Sequence, residues 1–133
     1  MTRMRETTET VIAAYRPKPG KDRELRKLIH EHRRTLADAQ LVTQRKPIIL
    51  RARSDGTLLE IFEWASVRAA DRAHRHAPIR ALWRKLSEVA DFVALSDIKE
   101  ASKAFSHFEA LVPENTRVRT LAAKRPAARQ PKR

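Results

Sequence analysis

The sequence predicts an α+β domain of the ferredoxin-like type, with the order strand–helix–strand–strand–helix–strand. Three observations predict it: two stretches with apolar residues at three- and four-residue spacing, four short stretches rich in β-branched and aromatic residues, and one Asp-Gly turn. A chain of 133 residues is one domain's worth and can bury one core. This order folds naturally as an antiparallel sheet with both helices on one face.

The first strand and helix are predicted from the start of the domain. Residues 8–16 have two alternating sets of side chains that are both largely apolar, as in a central strand covered on both faces. Prolines and a glycine in residues 17–20 end that strand. A helix follows over about residues 21–39, with Asp22 and Glu24 in its first turn, where the helix dipole favours negative charge. Its apolar face consists of Leu25, Leu28, Ile29, His32, Leu36 and Ala39.

The middle of the chain predicts a hairpin. Residues 48–53 and 58–64 are apolar on both faces, and Asp55-Gly56 between them tolerates the positive φ angles of a tight turn. Both apolar faces of these strands need cover. A second copy of the sheet is the economical cover, so the sequence predicts a homodimer formed through the sheet faces.

The second half of the chain predicts one interrupted helix and a last strand. Ser66 is expected to cap a helix that is interrupted around Pro78 and resumes through to Val89. Residues 95–104 are expected to hold a short helical turn capped by Ser96. Residues 105–111 are predicted as the fourth and last strand, which ends before a proline.

The domain is predicted to span residues 8–112, between a flexible N-terminus of residues 1–7 and a basic tail of residues 113–133. From residue 117 to residue 133 there are seven Lys or Arg and no acidic residue, so this stretch carries +7 of the net +13. The tail also lacks apolar periodicity, so we expect it to be disordered. The rest of the chain is only moderately basic.

Composition excludes several kinds of site. There is no cysteine, hence no disulfide, thiol nucleophile or thiolate metal site, and a reducing cytoplasm is the simplest location. No signal peptide and no apolar run long enough to span a membrane is present. The pairs His30/His32 and His74/His76 are two residues apart, which places their side chains about 200° apart around a helix. We therefore expect no metal site and no cofactor.

Four short segments, residues 15–21, 62–66, 73–74 and 105–109, carry a resemblance to a known family. With these elements placed, the chain resembles the dimeric α+β barrel superfamily and, within it, domains of the antibiotic biosynthesis monooxygenase type. The resemblance covers about residues 8–112. It implies a pocket between the sheet and the helices of each subunit, and a dimer whose sheets close into a barrel.

The family includes cofactor-independent oxygenases of quinol-like aromatics and haem-degrading enzymes, as well as members with no known reaction. Trp64 and His74 lie where a common Trp and His pair of the family falls. The haem-degrading subgroup requires an asparagine on the first strand and a histidine late in the second helix. This sequence has Tyr15 and Trp83 at those places, so haem degradation is not expected.

The candidate site residues each have a functional and a structural interpretation. His74 is the candidate catalytic base, since an imidazole can accept a proton from a phenol-like substrate; alternatively it fills space on a helix. Trp64 and Trp83 are candidate walls of an aromatic pocket, or simply core residues. Tyr15 is a candidate hydrogen-bond donor to a substrate, or a residue at the end of the barrel.

Further candidates come from the strands. His107 and Glu109 share one face of the last strand, where the carboxylate can orient the imidazole towards a substrate; alternatively both are solvated. Glu60 and Glu63 lie on opposite faces of their strand, so they do not form a paired-carboxylate site.

The expected function is that of a cofactor-independent monooxygenase, or a related pocket protein, acting on a small aromatic or quinol-like compound. The alternative is a non-catalytic ligand-binding or interaction module whose basic tail binds an acidic partner or nucleic acid. Arg68, Arg72 and Arg75 on the second helix add charge that phosphates would favour. Against nucleic acid, the sequence offers no aromatic stacking platform and no duplex-recognition motif.

Overall fold

The computed structural model describes residues 7–111, which form an α+β fold with a five-stranded antiparallel sheet and three helices. The predicted basic tail lies outside these residues, as does nearly all of the predicted N-terminal extension. The elements, in chain order, are β1 (Glu9–Pro17), α1 (Asp22–Asp38), β2 (Ile48–Arg51), β3 (Leu58–Trp64), α2 (Ala69–His74), α3 (Ala77–Val89), β4 (Ala90–Phe92), two 3₁₀ turns (Leu95–Asp97 and Lys99–Ser102) and β5 (Glu109–Leu111).

The strands lie in the order β4-β1-β3-β2-β5, and each adjacent pair is antiparallel. The first four strands with their helices are consistent with a ferredoxin-like fold, and β5 extends the sheet at the edge formed by β2. Residues from all three helices pack with the strands in two apolar clusters on one face of the sheet. Among residues 7–111 no helix is both long and apolar enough to cross a membrane.

The first half of the domain follows the predicted pattern closely. β1, α1 and β3 lie within one residue of their predicted bounds, and the buried residues of α1 are Leu25, Ile29, His32 and Leu36. The predicted turn is present: Gly56 has a φ of 79°, in the left-handed region that glycine favours. The Asp55 carboxylate accepts a bond of 3.0 Å from the Thr57 amide, as aspartates in turns commonly do.

The predicted helix caps are wrong. Arg68, not Ser66, precedes α2, and the Ser66 hydroxyl is buried without a hydrogen-bond partner among the described residues. The predicted interruption near Pro78 is present: α2 ends at His74 and α3 begins at Ala77, so that Pro78 lies in the first turn of α3, where its missing N–H costs no helical bond. The first 3₁₀ turn is preceded by Ala94, so Ser96 does not cap it either.

The fourth strand is also not where the sequence predicted it. The place beside β1 is taken by β4, which follows α3 without any connecting residue. Of predicted residues 105–111 only Glu109–Leu111 form a strand, and they pair with β2 at the opposite edge of the sheet. Three residues are too few to show the alternation by which strands are predicted, so β4 was hidden in the end of the α3 pattern.

The face of the sheet that turns away from the helices is partly covered by the chain itself. Ile98 is fully buried there against Ala14 and Leu59. The covering segment is held by the Glu100 carboxylate, which accepts bonds of 2.9 and 2.8 Å from the amide and hydroxyl of Ser54. A second copy is therefore not needed to cover this part of the face.

Two residues along the strands from Ala14 and Leu59, the same face of the sheet is open to solvent. Ile12 of β1 lies opposite Ile61 of β3, and Ile61 lies opposite Ile48 of β2. These three residues form a line across the sheet, which we call the isoleucine row. Ile12 is 43% exposed and Ile48 is 54% exposed, so the row is an apolar strip that residues 7–111 leave in contact with water.

Candidate active site

A fully buried carboxylate lies between the sheet and the helices. Glu60 is in the middle of β3 on the helix-facing side, and its side chain has no exposed surface. The Tyr15 hydroxyl on β1 donates to Glu60 Oε1 at 2.7 Å. His32 Nδ1 on α1 lies 3.1 and 3.2 Å from the two carboxylate oxygens. A buried carboxylate is costly unless it has donors, and these two residues supply them.

The proton on His32 is assigned by its second partner. Trp83 Nε1 on α3 lies 3.0 Å from His32 Nε2, and an indole nitrogen can only donate. Nε2 therefore holds the lone pair, and Nδ1 carries the hydrogen that His32 donates to Glu60. The imidazole is neutral, and the donors of Tyr15, His32 and Trp83 each have an acceptor. We call Tyr15, Glu60, His32 and Trp83 the buried polar chain.

Burial and the charge of Glu60 shift the pKa values of two neighbouring groups. Burial raises the pKa of Tyr15 well above its usual value, and the charge and hydrogen bond of Glu60 raise it further, so the phenol stays a donor. Burial lowers the pKa of Arg33, while the charge of Glu60 opposes that change. The Arg33 guanidinium donates to the carbonyls of Thr43 and Arg45, both at 3.1 Å.

Aromatic rings continue the buried polar chain in two directions. On the core side, the His32 ring lies 6.0 Å from Phe62, and Phe62 lies 5.0 Å from Trp64. On the outer side, the Trp83 ring lies 4.9 Å from His74 in an edge-on arrangement. Exposure rises steadily outward, from buried His32 through half-buried Trp83 to exposed His74. The series of rings therefore leads from the base of the site to solvent.

The predicted site residues are not all brought together. Tyr15 and Trp83 belong to the buried polar chain, and His74 contacts Trp83 from the solvent side. Trp64 reaches His32 only through Phe62. His107 is exposed outside this region, and its predicted partner Glu109 instead lies 3.6 Å from the Arg51 guanidinium.

The two central residues of the site, Glu60 and His32, were not predicted to act together. A signal for them was present in the sequence: Glu60 interrupts a strand that is apolar on both faces, and His32 lies on the apolar face of the first helix. Two polar side chains predicted to be buried on adjacent elements are expected to pair, because each needs a partner. The sequence could not show which α1 residue lies over Glu60, since that depends on how the helix docks.

The pair of Glu60 and His32 has the arrangement of a general base. The carboxylate holds the hydrogen on Nδ1, so that the lone pair of Nε2 is fixed in position and aimed along the bond to Trp83. A third group that orients an imidazole in this way recurs in nucleophilic and acid–base catalysis. The site can therefore take a proton from a donor that replaces the indole.

Within residues 7–111 no group of three or more His, Asp or Glu residues is arranged to hold a metal ion. An open groove of about 390 Å³ runs between α1 and α3 over Leu28 and Val89, with lysines and glutamates along its rim. None of its lining residues belongs to the buried polar chain.

Comparison of the chain with family models, with curated proteins and with solved structures gave no match.

Proposed function

We propose that this chain is a cofactor-independent oxygenase of a small aromatic, quinol-like compound, and that His32 oriented by Glu60 is its base. The observation that carries this proposal is the fixed lone pair on His32 Nε2, which faces along a series of aromatic rings towards solvent. An aromatic ligand is favoured because rings offset or edge-on to one another attract beyond simple burial.

The proposed chemistry begins with a proton transfer. The hydroxyl of the substrate donates to His32 Nε2 and gives up its proton, and Glu60 stabilises the imidazolium that forms. The resulting phenolate is electron-rich and reacts with dioxygen. One oxygen atom becomes a carbonyl on a ring carbon that carried hydrogen, and the other leaves as water with that hydrogen and the hydroxyl proton. The substrate loses four electrons to dioxygen, so no other oxidant is needed.

This proposal moves the base from His74, where the sequence placed it, to His32. His74 is exposed, and the contact that links it to the site is the packing of its ring against Trp83. His32 has both a carboxylate partner and a buried position, which are the features that tune and orient a catalytic imidazole. His74 remains proposed as a polar contact at the outer end of the site, and Trp64 as a wall behind Phe62.

Oxygen uptake in the presence of naphthols and polycyclic hydroquinones tests the proposal. We expect the His32→Gln variant to lose about 100-fold or more in turnover, as removal of a general base does, and Glu60→Gln to lose turnover too. His30→Gln is the matched control, because His30 lies on the same helix outside the buried polar chain. Full turnover in a folded His32→Gln variant would exclude His32 as the base, and loss in His74→Gln alone would return the role to His74.

We also propose that two copies of the chain associate through the isoleucine row, as in a dimeric α+β barrel. A second copy suits this strip because in a twofold arrangement each subunit offers the other the same apolar surface. Single exposed apolar residues are common, but an aligned set on the central strands of a sheet is typical of an interface.

Sedimentation velocity distinguishes the two states of the chain. We expect Ile61→Asp to convert a dimer into a monomer, because it buries a carboxylate without a partner in the middle of the interface. Val67→Asp is the control, since Val67 is also exposed but lies outside the sheet. A wild-type chain that sediments as a monomer at all concentrations would contradict the proposal.

A further inference from the structure

We propose that Trp83 is a gate that occupies the lone pair of the base until an aromatic ligand with its own hydrogen-bond donor replaces it. This inference rests on the proposed function, because it concerns the same base. It adds the chemical class that the site selects, which is an aromatic bearing O–H or N–H rather than an aromatic as such. It also adds that the unliganded chain is held in a closed state by its own tryptophan.

The indole of Trp83 lies between buried His32 and exposed His74, and it packs against both apolar clusters that join the helices to the sheet. It therefore separates the base from solvent at the seam between two parts of the core. A ligand that approaches His32 from the side of His74 meets the indole first.

The His32 imidazole can accept only one hydrogen bond. Glu60 holds the hydrogen on Nδ1, which leaves a single acceptor site, and that site is filled by the indole N–H at 3.0 Å. A ligand hydroxyl can bond to Nε2 only after the indole has left. An ether of the same shape offers no hydrogen, so opening the gate for it would leave a buried lone pair without a partner, which is unfavourable.

The surroundings of Trp83 favour movement of the indole towards solvent. On its inner side the indole faces His32 and the buried strands, which are close-packed. On its outer side it meets the ring of His74, which is exposed to water. A short outward rotation of the indole would place its N–H in water, where it finds a new partner, and would open a slot lined by aromatic rings.

Nuclear magnetic resonance of the two indole N–H groups tests the gate in the wild-type chain. The probes are 1-naphthol and its methyl ether, and Trp64 is the internal control because its ring is on the core side of Phe62. We expect 1-naphthol to shift the Trp83 indole signal and to accelerate its exchange with water, while the Trp64 signal keeps its exchange rate. The ether should bind at least about fivefold more weakly, the ratio that one net hydrogen bond gives.

The Trp83→Phe variant provides a second measurement that does not depend on the indole signal. It removes the competing N–H and keeps an aromatic ring, so calorimetry should show 1-naphthol binding about fivefold more tightly than to wild type. Binding of 1-naphthol with an unchanged Trp83 signal would overturn the gate, and so would an affinity of Trp83→Phe equal to or below that of wild type.

Oxygen uptake, measured separately, distinguishes failure of the gate from failure of the proposed function. Turnover without release of the Trp83 indole would overturn the gate and would still support the proposed oxygenase activity. Release of the indole by 1-naphthol without any turnover would support the gate and contradict the proposed oxygenase activity.

Discussion

The two glutamates of β3 lie three residues apart on opposite faces of one strand and are held in opposite ways. Glu60 is fully buried and is bonded by Tyr15 and His32, which come from a strand and a helix. Glu63 lies on the outer face, where Thr43 Oγ1 donates at 2.8 Å and Arg45 Nε at 3.3 Å. The position of the Glu60 carboxylate depends on the packing of several elements, whereas that of Glu63 depends on side chains that water can replace.

The difference between the two glutamates shows that buried partners fix the position of a carboxylate, whereas partners near the surface do not. The hydrogen bond from Thr43 lowers the pKa of Glu63, and the bonds from Arg45 and Thr8 lower it further, but each of these partners is at or near the surface. The partners of Glu60 cannot leave without opening the core. A fixed lone pair of the kind a base requires is therefore found on the helix-facing side of β3 and not on its outer side.

Replacing each glutamate by alanine should give the largest contrast. Glu60→Ala leaves the Tyr15 hydroxyl and His32 Nδ1–H buried without an acceptor and creates a cavity, so we expect a loss of about 2–4 kcal/mol in the free energy of unfolding. Glu63→Ala should cause a much smaller loss, since water takes the place of its partners. Urea unfolding of both variants measures the difference.

Equal losses in the two variants would contradict this interpretation. A Glu60→Ala variant that is more stable than wild type would mean that the buried carboxylate costs more than its bonds return, in which case its retention would be explained by chemistry alone.

The interpretation of buried Glu60 can be tested further at alkaline pH through its partner Tyr15. Because the pKa of Tyr15 is raised in the fold, the phenol stays protonated above pH of about 10 while the unfolded chain ionises. The unfolded state then binds fewer protons, so stability should fall as pH rises beyond that value, by up to about 1.4 kcal/mol per pH unit. Tyr15 is the only tyrosine of the chain, so the phenolate absorbance reports this group alone.

We expect that absorbance to rise together with loss of the circular dichroism signal, and the Tyr15→Phe variant to lose the extra alkaline slope. Ionisation of Tyr15 at its ordinary pH in a folded chain would show that its bond to Glu60 is not maintained in solution.

Glu63, on the outer face with its side chain 16% exposed, should give the smallest effect, in the acid limb of the stability profile. The pKa of Glu63 is lowered from 4.5 by the hydrogen bond from Thr43 in the first place. A lowered pKa contributes stability above the unfolded value, and this contribution is lost as pH falls through the folded value. Glu63→Gln should therefore lose a small amount of stability at neutral pH and almost none below the folded pKa, so that the acid limb of the stability profile becomes slightly flatter. A change at neutral pH as large as that of Glu60→Ala would remove the distinction between the two faces.

The sequence predicted best those elements whose signal is local and repeated. The apolar spacing of α1, and the apolar run that follows the Asp-Gly turn and becomes β3, predicted bounds within one residue of those observed, because both patterns extend over several turns or pleats. The cap predicted at Ser66 failed because two further residues precede α2. A single residue type at a plausible place is weak information when the chain can bend before the helix begins.

The site was predicted only in its outline. Tyr15 and Trp83 were predicted as site residues, but the carboxylate and imidazole that join them were not. The sequence pattern relates Glu60 only to Glu63 on its own strand, and His32 only to its helix face and to His30 on the same helix. The bond between His32 and Glu60 spans 28 positions and depends on how α1 docks on the sheet. Local pattern carries no information on docking, and an unpaired buried acid in a strand is the signal that would have prompted the search.

The direct passage from α3 into β4 has a mechanical consequence. Val89 ends the helix and Ala90 begins the strand, and the Lys18 amide clamps this junction through a bond of 2.8 Å to the Val89 carbonyl. Phe92 of β4 in turn lies edge-on to Tyr15 at 5.5 Å. Because no residue separates α3 from β4, a shift of Trp83 on α3 would reach Tyr15 through the backbone and Phe92 as well as through His32 and Glu60.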